Sequence, residues 1–268
     1  MNRRNEREMN MQYWIIFLFK CCIKFIYFFI KMFTAAENKI VYLSRQSNEK
    51  SLDMQMLEKE IKTLYPEYKQ VFRTRTLEKG FWSGLKYLCG LIGDMYHIAG
   101  AKVAICDTYS VTISCLQHKK SIKIIQMWHA LGAIKKFGLQ SVGFAEGRDK
   151  KISHAMCMHK NYDIVIAPSK ATAQFYEEAF GVEEQNIKIA SLPQVDYMLD
   201  GKNLKSEFLE KNPEVKGKKI VMYIPTFREN ENEIVKELNT IFEQEEDIKL
   251  FVSLHPYSRV EKKDDFKI

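Results

Sequence analysis

A histidine, a glycine and two lysines follow an apolar run in QMWHALGAIKKFG, residues 126–138. His129 ends a run typical of a buried strand, and Lys135 and Lys136 come shortly after it. Phosphate chemistry needs a proton acceptor and cationic groups of this kind. However, a single histidine at a strand end is more often a hydrogen-bonded structural group, and paired lysines often begin a solvated helix. This segment alone leaves both interpretations open.

Polar residues end several other apolar runs in the same way. Ser169 ends DIVIAPS, Thr226 ends KIVMYIPT with Arg228 two residues later, and His255 follows IKLFVSL. Ligands of doubly wound sheets bind beyond the carboxyl ends of the strands, so these residues are predicted to line one cleft. Ser169 also fits a helix N-cap, and the segment PTFRE also fits a turn.

Seven short runs, rich in β-branched residues, alternate with helical stretches. Several are apolar nearly throughout, as expected of parallel strands covered on both faces. The alternation predicts βαβ units and a doubly wound α/β fold. The predicted strands are 39–43, 102–106, 122–128, 163–169, 187–191, 219–226 and 248–254.

A polar stretch at 196–219, broken by two glycines and a proline, predicts a domain boundary. The first α/β domain is placed at 37–200 and the second at 201–268. The second contains only two predicted strands and one helix, too few to bury a sheet on both faces. Either the chain is truncated or this half is supported by the first domain, and we expect an incomplete second domain.

The N-terminal segment Trp14–Phe33 is almost entirely apolar except for Lys20, Lys24 and Lys31. On a helix these three lysines fall within an arc of roughly 40°, opposite a broad apolar face. Such a helix is typical of one that lies in the membrane interface, and the basic start MNRRNER favours anionic lipid. Residues 1–36 are therefore predicted to be a membrane-associating amphipathic helix.

Three alternatives for this helix stay open. A membrane span would place Lys24 near the middle of the bilayer, at a cost of ~3 kcal/mol. A signal peptide normally has an unbroken apolar region, and TAAE is a weak cleavage site. A buried core helix would have to hide three ammonium groups.

The composition bounds the possible partners. The chain has 268 residues, 46% hydrophobic, with a net charge of +7 and a pI of about 8.9. This charge suits nucleic acid, an anionic membrane or a phosphorylated substrate. A nucleic-acid module is disfavoured because no stacking-aromatic or recognition-helix motif is found. The six cysteines form no C-x-x-C pair and no zinc spacing, so we expect a reduced protein without metal or cofactor.

Five segments carry a resemblance to a known family. VYLSRQSN, QMWHALGAIKKFG, IAPSKATAQFYEEAFGV, MYIPTFRE and SLHPY occur in this order. Over about residues 39–257 the chain resembles the CDP-glycerol glycerophosphotransferases of teichoic acid synthesis and their CDP-ribitol relatives. The elements WHA-x-GA-x-KKFG and PTFR are the most specific.

The resemblance implies a fold, a location and a reaction. The fold is GT-B-like, with two Rossmann-like domains and no metal. The location is peripheral, at the cytoplasmic face of the bacterial cell membrane. A polyol-phosphate unit passes from CDP-glycerol or CDP-ribitol to a hydroxyl of a lipid-linked acceptor, and CMP is released.

The resemblance also implies roles for individual residues. His129 is the expected base for the acceptor hydroxyl, and His255 is expected to stabilise the diphosphate or leaving group. Arg228, together with Thr226, is expected to bind donor phosphate, and Ser169 belongs to the same substrate-binding set. The two lysines of KKFG are expected to add positive field near the acceptor phosphate.

The sequence departs from the family pattern at several positions. Ser191 and Gln194 stand where the family has glycine and arginine in Gly-x-Pro-Arg-x-Asp, whereas Pro193 and Asp196 are kept as substrate-binding candidates. Leu131 replaces a small or hydroxylated residue. A later donor motif of the Ser/Thr-Asp-Tyr-Ser-Ser type is absent from these residues.

Two rival functions follow from these departures. A nucleotide-sugar glycosyltransferase of GT-B type would share the fold but bind a sugar ring. A truncated, membrane-attached remnant would bind donor weakly or not at all. The sequence leaves glycerol or ribitol, and priming or polymerisation, undecided.

Overall fold

The computed structural model describes residues 3–77, 80–144, 147–200, 204–225 and 230–254. The chain divides into two compact units, Met1–Asp200 and Gly201–Ile268. Each unit is built around parallel strands joined by helices.

The first unit contains a six-stranded sheet in which every neighbouring pair is parallel. The strand order is β2-β1-β3-β4-β5-β6, so the chain reverses its direction of winding between β1 and β3. Such a switch point opens a crevice at the carboxyl ends of the two strands. The predicted parallel α/β fold is confirmed. The strands are β1 (Lys39–Ser44), β2 (Lys69–Thr74), β3 (Val103–Cys106), β4 (Lys123–Gln126), β5 (Ile164–Ala167) and β6 (Ile187–Ile189).

Helices connect these strands, and local chemistry sets several of their ends. Ser51 caps α2, because its side chain accepts a hydrogen bond from the backbone N–H of Met54. Gly181 ends α6 in the left-handed conformation, at φ 60°. The helices are α1 (Arg3–Phe33), α2 (Leu52–Leu64), α3 (Phe81–Ala99), α4 (Val111–Ser114), α5 (Lys150–Ala155), α6 (Lys170–Phe180) and α7 (Pro193–Asp200), with short 3₁₀ turns at Gly138–Ser141 and Glu184–Asn186.

The core lies on both faces of the sheet. Along β1, Val41 and Leu43 pack into one apolar cluster, whereas Ile40 and Tyr42 pack into another on the opposite face. Successive strand residues point to opposite faces, so β1 is buried along its whole length. Tyr42 also stacks on Phe72 of β2 at 4.4 Å between ring centroids. This burial holds the central strands rigid under the carboxyl edge.

One side of α1 packs against the first unit. Ile23 and Tyr27 are buried in a third apolar cluster with Leu91 and Met95 of α3. The Tyr27 hydroxyl also lies 2.9 Å from His118 Nδ1. The inner side of α1 is therefore part of the folded body.

The three lysines of α1 either bond to backbone carbonyls or are exposed to solvent. Lys20 Nζ donates to the carbonyl of Ala155 at 2.5 Å, and Lys31 Nζ donates to the carbonyl of Gln117 at 2.9 Å. Lys24 is exposed. Because two ammonium groups bond backbone carbonyls and the third meets solvent, packing one side of α1 leaves no ammonium group hidden without a partner.

The other side of α1 is apolar and exposed. Among the described residues, no helix combines the length and the apolar character that a membrane crossing needs. The large apolar residues exposed on α1 are Met11, Trp14, Ile15, Phe17, Leu18, Phe25, Ile26, Phe28, Phe29, Met32 and Phe33.

The second unit contains a parallel pair of strands. β7 (Lys219–Tyr223) and β8 (Ile248–Val252) are joined by α9 (Glu231–Phe242), and α8 (Leu204–Lys211) precedes them. A short 3₁₀ turn at Pro213–Val215 follows α8. Among the described residues of this unit, the buried apolar side chains are Val215, Val235 and Leu250.

Candidate active site

The segment after β4 turns sharply before the candidate base. The predicted strand 122–128 ends early, at Gln126, because Trp128 adopts a left-handed backbone with φ 58°. This conformation is rare for a bulky residue and costs about 1–3 kcal/mol. The buried Gln126 supports it, since its Oε1 accepts from the Trp128 backbone N–H at 2.9 Å. His129 consequently leaves the sheet and is exposed at the carboxyl edge.

A cluster of aromatic rings around Trp128 holds this turn in place. The Trp128 ring stacks on Phe137 at 5.3 Å and meets Phe180 edge-on at 5.4 Å. Gly138, at φ 56°, follows in a position where a Cβ would collide with the backbone carbonyl of Ala179. The Phe-Gly end of KKFG therefore anchors the segment to α6. The aromatic and glycine residues of this motif position the exposed histidine.

One nitrogen of His129 is held by the protein, and no hydrogen bond to the other is found among the described residues. His129 Nδ1 lies 2.9 Å from the backbone carbonyl oxygen of Asp107. A carbonyl only accepts, so Nδ1 carries the hydrogen and Nε2 keeps its lone pair. Partial desolvation lowers the pKa of His129, and the bond to Asp107 opposes this shift. The imidazole is thus neutral near pH 7 and suited to accept a proton.

The residue whose backbone carbonyl holds His129 also has a buried carboxyl group. Asp107, 3% exposed, has its pKa raised to about 6 by burial, although hydrogen bonds from Ser44 and Thr108 lower it. The nearby charge of Asp53 raises it further. Within the described part of the chain, Asp107 Oδ1 has no hydrogen-bond partner. The sequence places Asp107, directly after the apolar run VAIC, among the strand-end polar residues predicted to line the cleft, but predicts no individual role for it.

The start of α7 is tied to the same edge. The backbone N–H and the side-chain Nε2 of Gln194 donate to the two carboxylate oxygens of Asp53, at 2.7 and 3.1 Å. Pro193 is the first residue of α7, where no N–H is needed, and Asp196 is exposed in the first turn. Gln194, which departs from the family pattern, therefore fixes the start of this helix. The start of α7 is thus fixed to the start of α2, and contact of Pro193 and Asp196 with substrate stays a prediction.

The remaining described candidates lie in two different settings. Lys135 and Lys136 are exposed on a non-helical segment, and Lys136 Nζ lies 4.6 Å from the ring centre of Phe144. Ser169 caps α6, because its Oγ accepts from the backbone N–H of Thr172 at 3.3 Å. The N-cap interpretation of Ser169 is confirmed, whereas its contact with substrate stays a prediction.

A family model places this chain among known proteins. The model described as CDP-Glycerol:Poly(glycerophosphate) glycerophosphotransferase matches residues 25–267. The chain belongs to this family. The family predicted from the sequence is confirmed.

Curated glycerophosphotransferase-family proteins match part of the chain. The teichoic acid ribitol-phosphate primase of Bacillus spizizenii is 34% identical over 157 residues, which cover 58% of this chain and 40% of that protein. The teichoic acid glycerol-phosphate primase of Bacillus subtilis is 31% identical over 171 residues, covering 62% of this chain and 44% of that protein. The chain thus spans less than half the length of these relatives.

A solved structure of the family shares the fold. A variant of the wall teichoic acid polymerase TagF soaked with CDPG aligns with a TM-score of 0.64 at 16% identity. The alignment covers 95% of this chain and 66% of that one. The fold is therefore α/β and close to that of TagF.

Three residues of the site predicted from the sequence cannot be compared with the structure. Thr226, Arg228 and His255 lie outside the described residues. Across the described ranges, no group of three or more histidine, cysteine or acidic side chains is arranged to hold a metal ion. The described residues offer a neutral imidazole whose Nε2 makes no hydrogen bond to another described residue, two exposed lysines and a buried carboxyl group. Together these suit removal of a proton from an alcohol near an anion.

Proposed function

We propose that this protein transfers a glycerol-phosphate or ribitol-phosphate unit from CDP-glycerol or CDP-ribitol to a lipid-linked acceptor. The reaction releases CMP and serves the synthesis of teichoic acid or a related cell-surface polymer. The observation that carries the proposal is His129: its Nδ1 is held by Asp107, while its ring is exposed within the family motif.

The proposed step is an in-line displacement at phosphorus. Nε2 of His129 takes the proton of the acceptor hydroxyl as that oxygen attacks the phosphorus that carries the polyol. The bond from this phosphorus to the bridging oxygen breaks, and CMP leaves with the electron pair. Lys135 and Lys136 contribute positive charge, and Arg228, Thr226 and His255 are proposed to hold the donor diphosphate.

The proposed location is the cytoplasmic face of the membrane, with α1 at its surface. The exposed face of α1 includes Trp14, Phe25 and Phe33, whose exposed fractions are 66%, 67% and 79%. Leu88 and Ile92 of α3, which packs beside α1, are also exposed. Contiguous apolar surface of this kind favours a lipid interface, and the basic net charge favours anionic lipid.

A donor comparison tests the function. CMP release and acceptor extension are measured with CDP-glycerol, CDP-ribitol and a UDP-sugar, each with a prenyl-diphosphate-linked acceptor. We expect one CDP-polyol to be consumed only when acceptor is present, with UDP-sugar inert. Consumption of UDP-sugar would support the glycosyltransferase alternative, and failure of every donor would support the remnant.

A further inference from the structure

Three arginines converge beyond the carboxyl ends of β1 and β2. Arg45 follows β1, whereas Arg73 and Arg75 lie at the end of β2, and all three line one cleft with Asp94 of α3. Asp94 forms ion pairs with Arg73 and Arg75, and no salt bridge to Arg45 is found among the described residues, so the described lining of the cleft keeps a positive charge. It lies beside the switch point between β1 and β3, where doubly wound sheets bind ligands.

Asp94 holds two of these arginines in place. The carboxylate is 3% exposed and accepts from Arg73 Nε and Arg75 Nη1, each at 2.8 Å. Arg73 Nη2 also donates to the Gly90 carbonyl at 3.0 Å. A Cβ on Gly93 would lie 2.6 Å from the Arg73 guanidinium, so glycine at this position leaves room for the arginine side chain. The pair is therefore pre-positioned before any ligand arrives.

Arg45 differs because it contacts no carboxylate in the part of the chain that the structure describes. Its guanidinium lies 5.7 Å from the ring centre of Tyr87, and that of Arg75 lies 5.2 Å from the same ring. The Nε atoms of Arg45 and Arg75 are both buried without a hydrogen-bond partner among the described residues. An anion with several oxygens placed beside the two guanidinium groups would separate these like charges.

We propose that this cleft binds the phosphate next to the acceptor's terminal hydroxyl, with Arg45 as the principal contact. This inference rests on the proposed function. The Arg45 backbone N–H donates to Thr108 Oγ1 at 3.2 Å, and His129 donates to the carbonyl of the preceding residue, Asp107, at 2.9 Å. Arg45 and His129 thus flank one dipeptide. The strands that precede them, β1 and β4, are two spacings apart, so their backbones are separated by roughly 10 Å.

A binding experiment tests the cleft without requiring turnover. The chain is titrated with sn-glycerol 3-phosphate, ribitol 5-phosphate and inorganic phosphate while the arginine Nε–H resonances are followed by NMR. We expect the Arg45 and Arg75 resonances to shift together, with a polyol phosphate binding more tightly than inorganic phosphate. In Arg45→Gln, affinity for the polyol phosphate should fall about 10-fold or more. Equal binding of all three probes would indicate a general anion site and overturn the assignment to the acceptor.

Matched variants make the result decisive. Lys69→Gln removes one positive charge at the amino end of β2, so it should change the affinity less than twofold. Arg45→Lys keeps the charge but not the planar fork, and an intermediate affinity is expected. The inference fails if Arg45→Gln binds like Lys69→Gln while both give native spectra, or if no probe shifts Arg45 at millimolar concentration. A shift at Arg45 in a protein that consumes no CDP-polyol would instead count against the function alone.

Discussion

The carboxyl edge of the first sheet and the outer face of α1 depart from the usual distribution of residues in opposite directions. At the edge, polar groups such as Asp94 and Asp107 are buried. On α1, aromatic groups such as Trp14 and Phe33 are exposed. Buried polar groups cost free energy unless they are paired, and large exposed apolar surface is rare on a soluble monomer. Neither region is arranged mainly for stability.

The two regions nevertheless differ in how they are held. The buried polar groups of the edge are held by hydrogen bonds to the core strands, so a substitution of a buried member such as Asp107 should change stability as well as chemistry. On α1, the inner residues Ile23 and Tyr27 pack against the body, whereas outer residues such as Phe25 and Phe33 are mostly exposed. Substitutions on that outer face should therefore leave folding intact and change only what the surface binds.

The largest expected effect is at His129. His129→Asn should lower the transfer rate by about 10²- to 10⁴-fold, roughly 3–5 kcal/mol of barrier, because a general base is lost. The melting temperature should stay near that of the unchanged protein, since the side chain is exposed and makes one hydrogen bond. Both quantities are measured on one preparation. His154→Asn, at an exposed histidine of α5, is the control, and a near-normal rate in His129→Asn would remove this residue from the mechanism.

A second prediction concerns the outer face of α1. Replacing Phe25 and Phe33 by serine should weaken binding to anionic vesicles by about 3 kcal/mol in total, at roughly 1.5 kcal/mol for each aromatic withdrawn from lipid. Leu199→Ser, at an exposed apolar position of α7, should bind vesicles normally. Sedimentation with vesicles gives the binding, and urea unfolding should show no change for either variant. Equal loss in the Leu199 variant would mean that α1 is not the contact surface.

The third prediction is a pH dependence from Asp107. Its folded pKa of about 6 lies above the ordinary value of 3.8, so the folded protein keeps a proton that the unfolded chain releases. Stability is therefore lost as the pH rises from about 4 to about 6, by roughly 3 kcal/mol in total. Asp107→Asn should remove this loss and gain stability relative to the unchanged protein over that window. Urea unfolding at pH 4.5 and 7.5 measures it. The exposed Asp196→Asn should follow the unchanged protein, and a parallel profile for Asp107→Asn would contradict the assignment.

The sequence predicts the parts of the fold that depend on local pattern. Apolar runs correctly marked β1, β3 and β4, because these strands are covered on both faces. The run KQVFRT was not predicted as a strand, since β2 lies at the sheet edge and is only half buried. The end of β4 was predicted two residues late, because the left-handed Trp128 depends on Gln126 and an aromatic cluster assembled from distant residues.

The site shows the same division between local and distant information. The motif placed His129 at a strand end, but nothing local indicated that Asp107 would hold it from a neighbouring strand. Gln194 reads as a missing arginine until Asp53, far away in the chain, is seen to accept both its donors. The hydrogen bonds between Gln194 of α7 and Asp53 of α2 depend on how the two helices pack, which residue spacing alone does not predict.

The smallest expected effect separates capping from catalysis at Ser169. Ser169→Ala should cost about 1 kcal/mol of stability, because α6 loses its N-cap. Ser51→Ala provides a matched control, since Ser51 caps α2 with the same 3.3 Å bond from serine Oγ to a backbone N–H. If Ser169 only caps its helix, the two variants should lose similar stability and keep similar KM values for the CDP-polyol. If its hydroxyl also contacts substrate, KM should rise in Ser169→Ala beyond any change in Ser51→Ala. Comparing KM at equal loss of stability removes the contribution that both caps share and leaves only the contact with substrate.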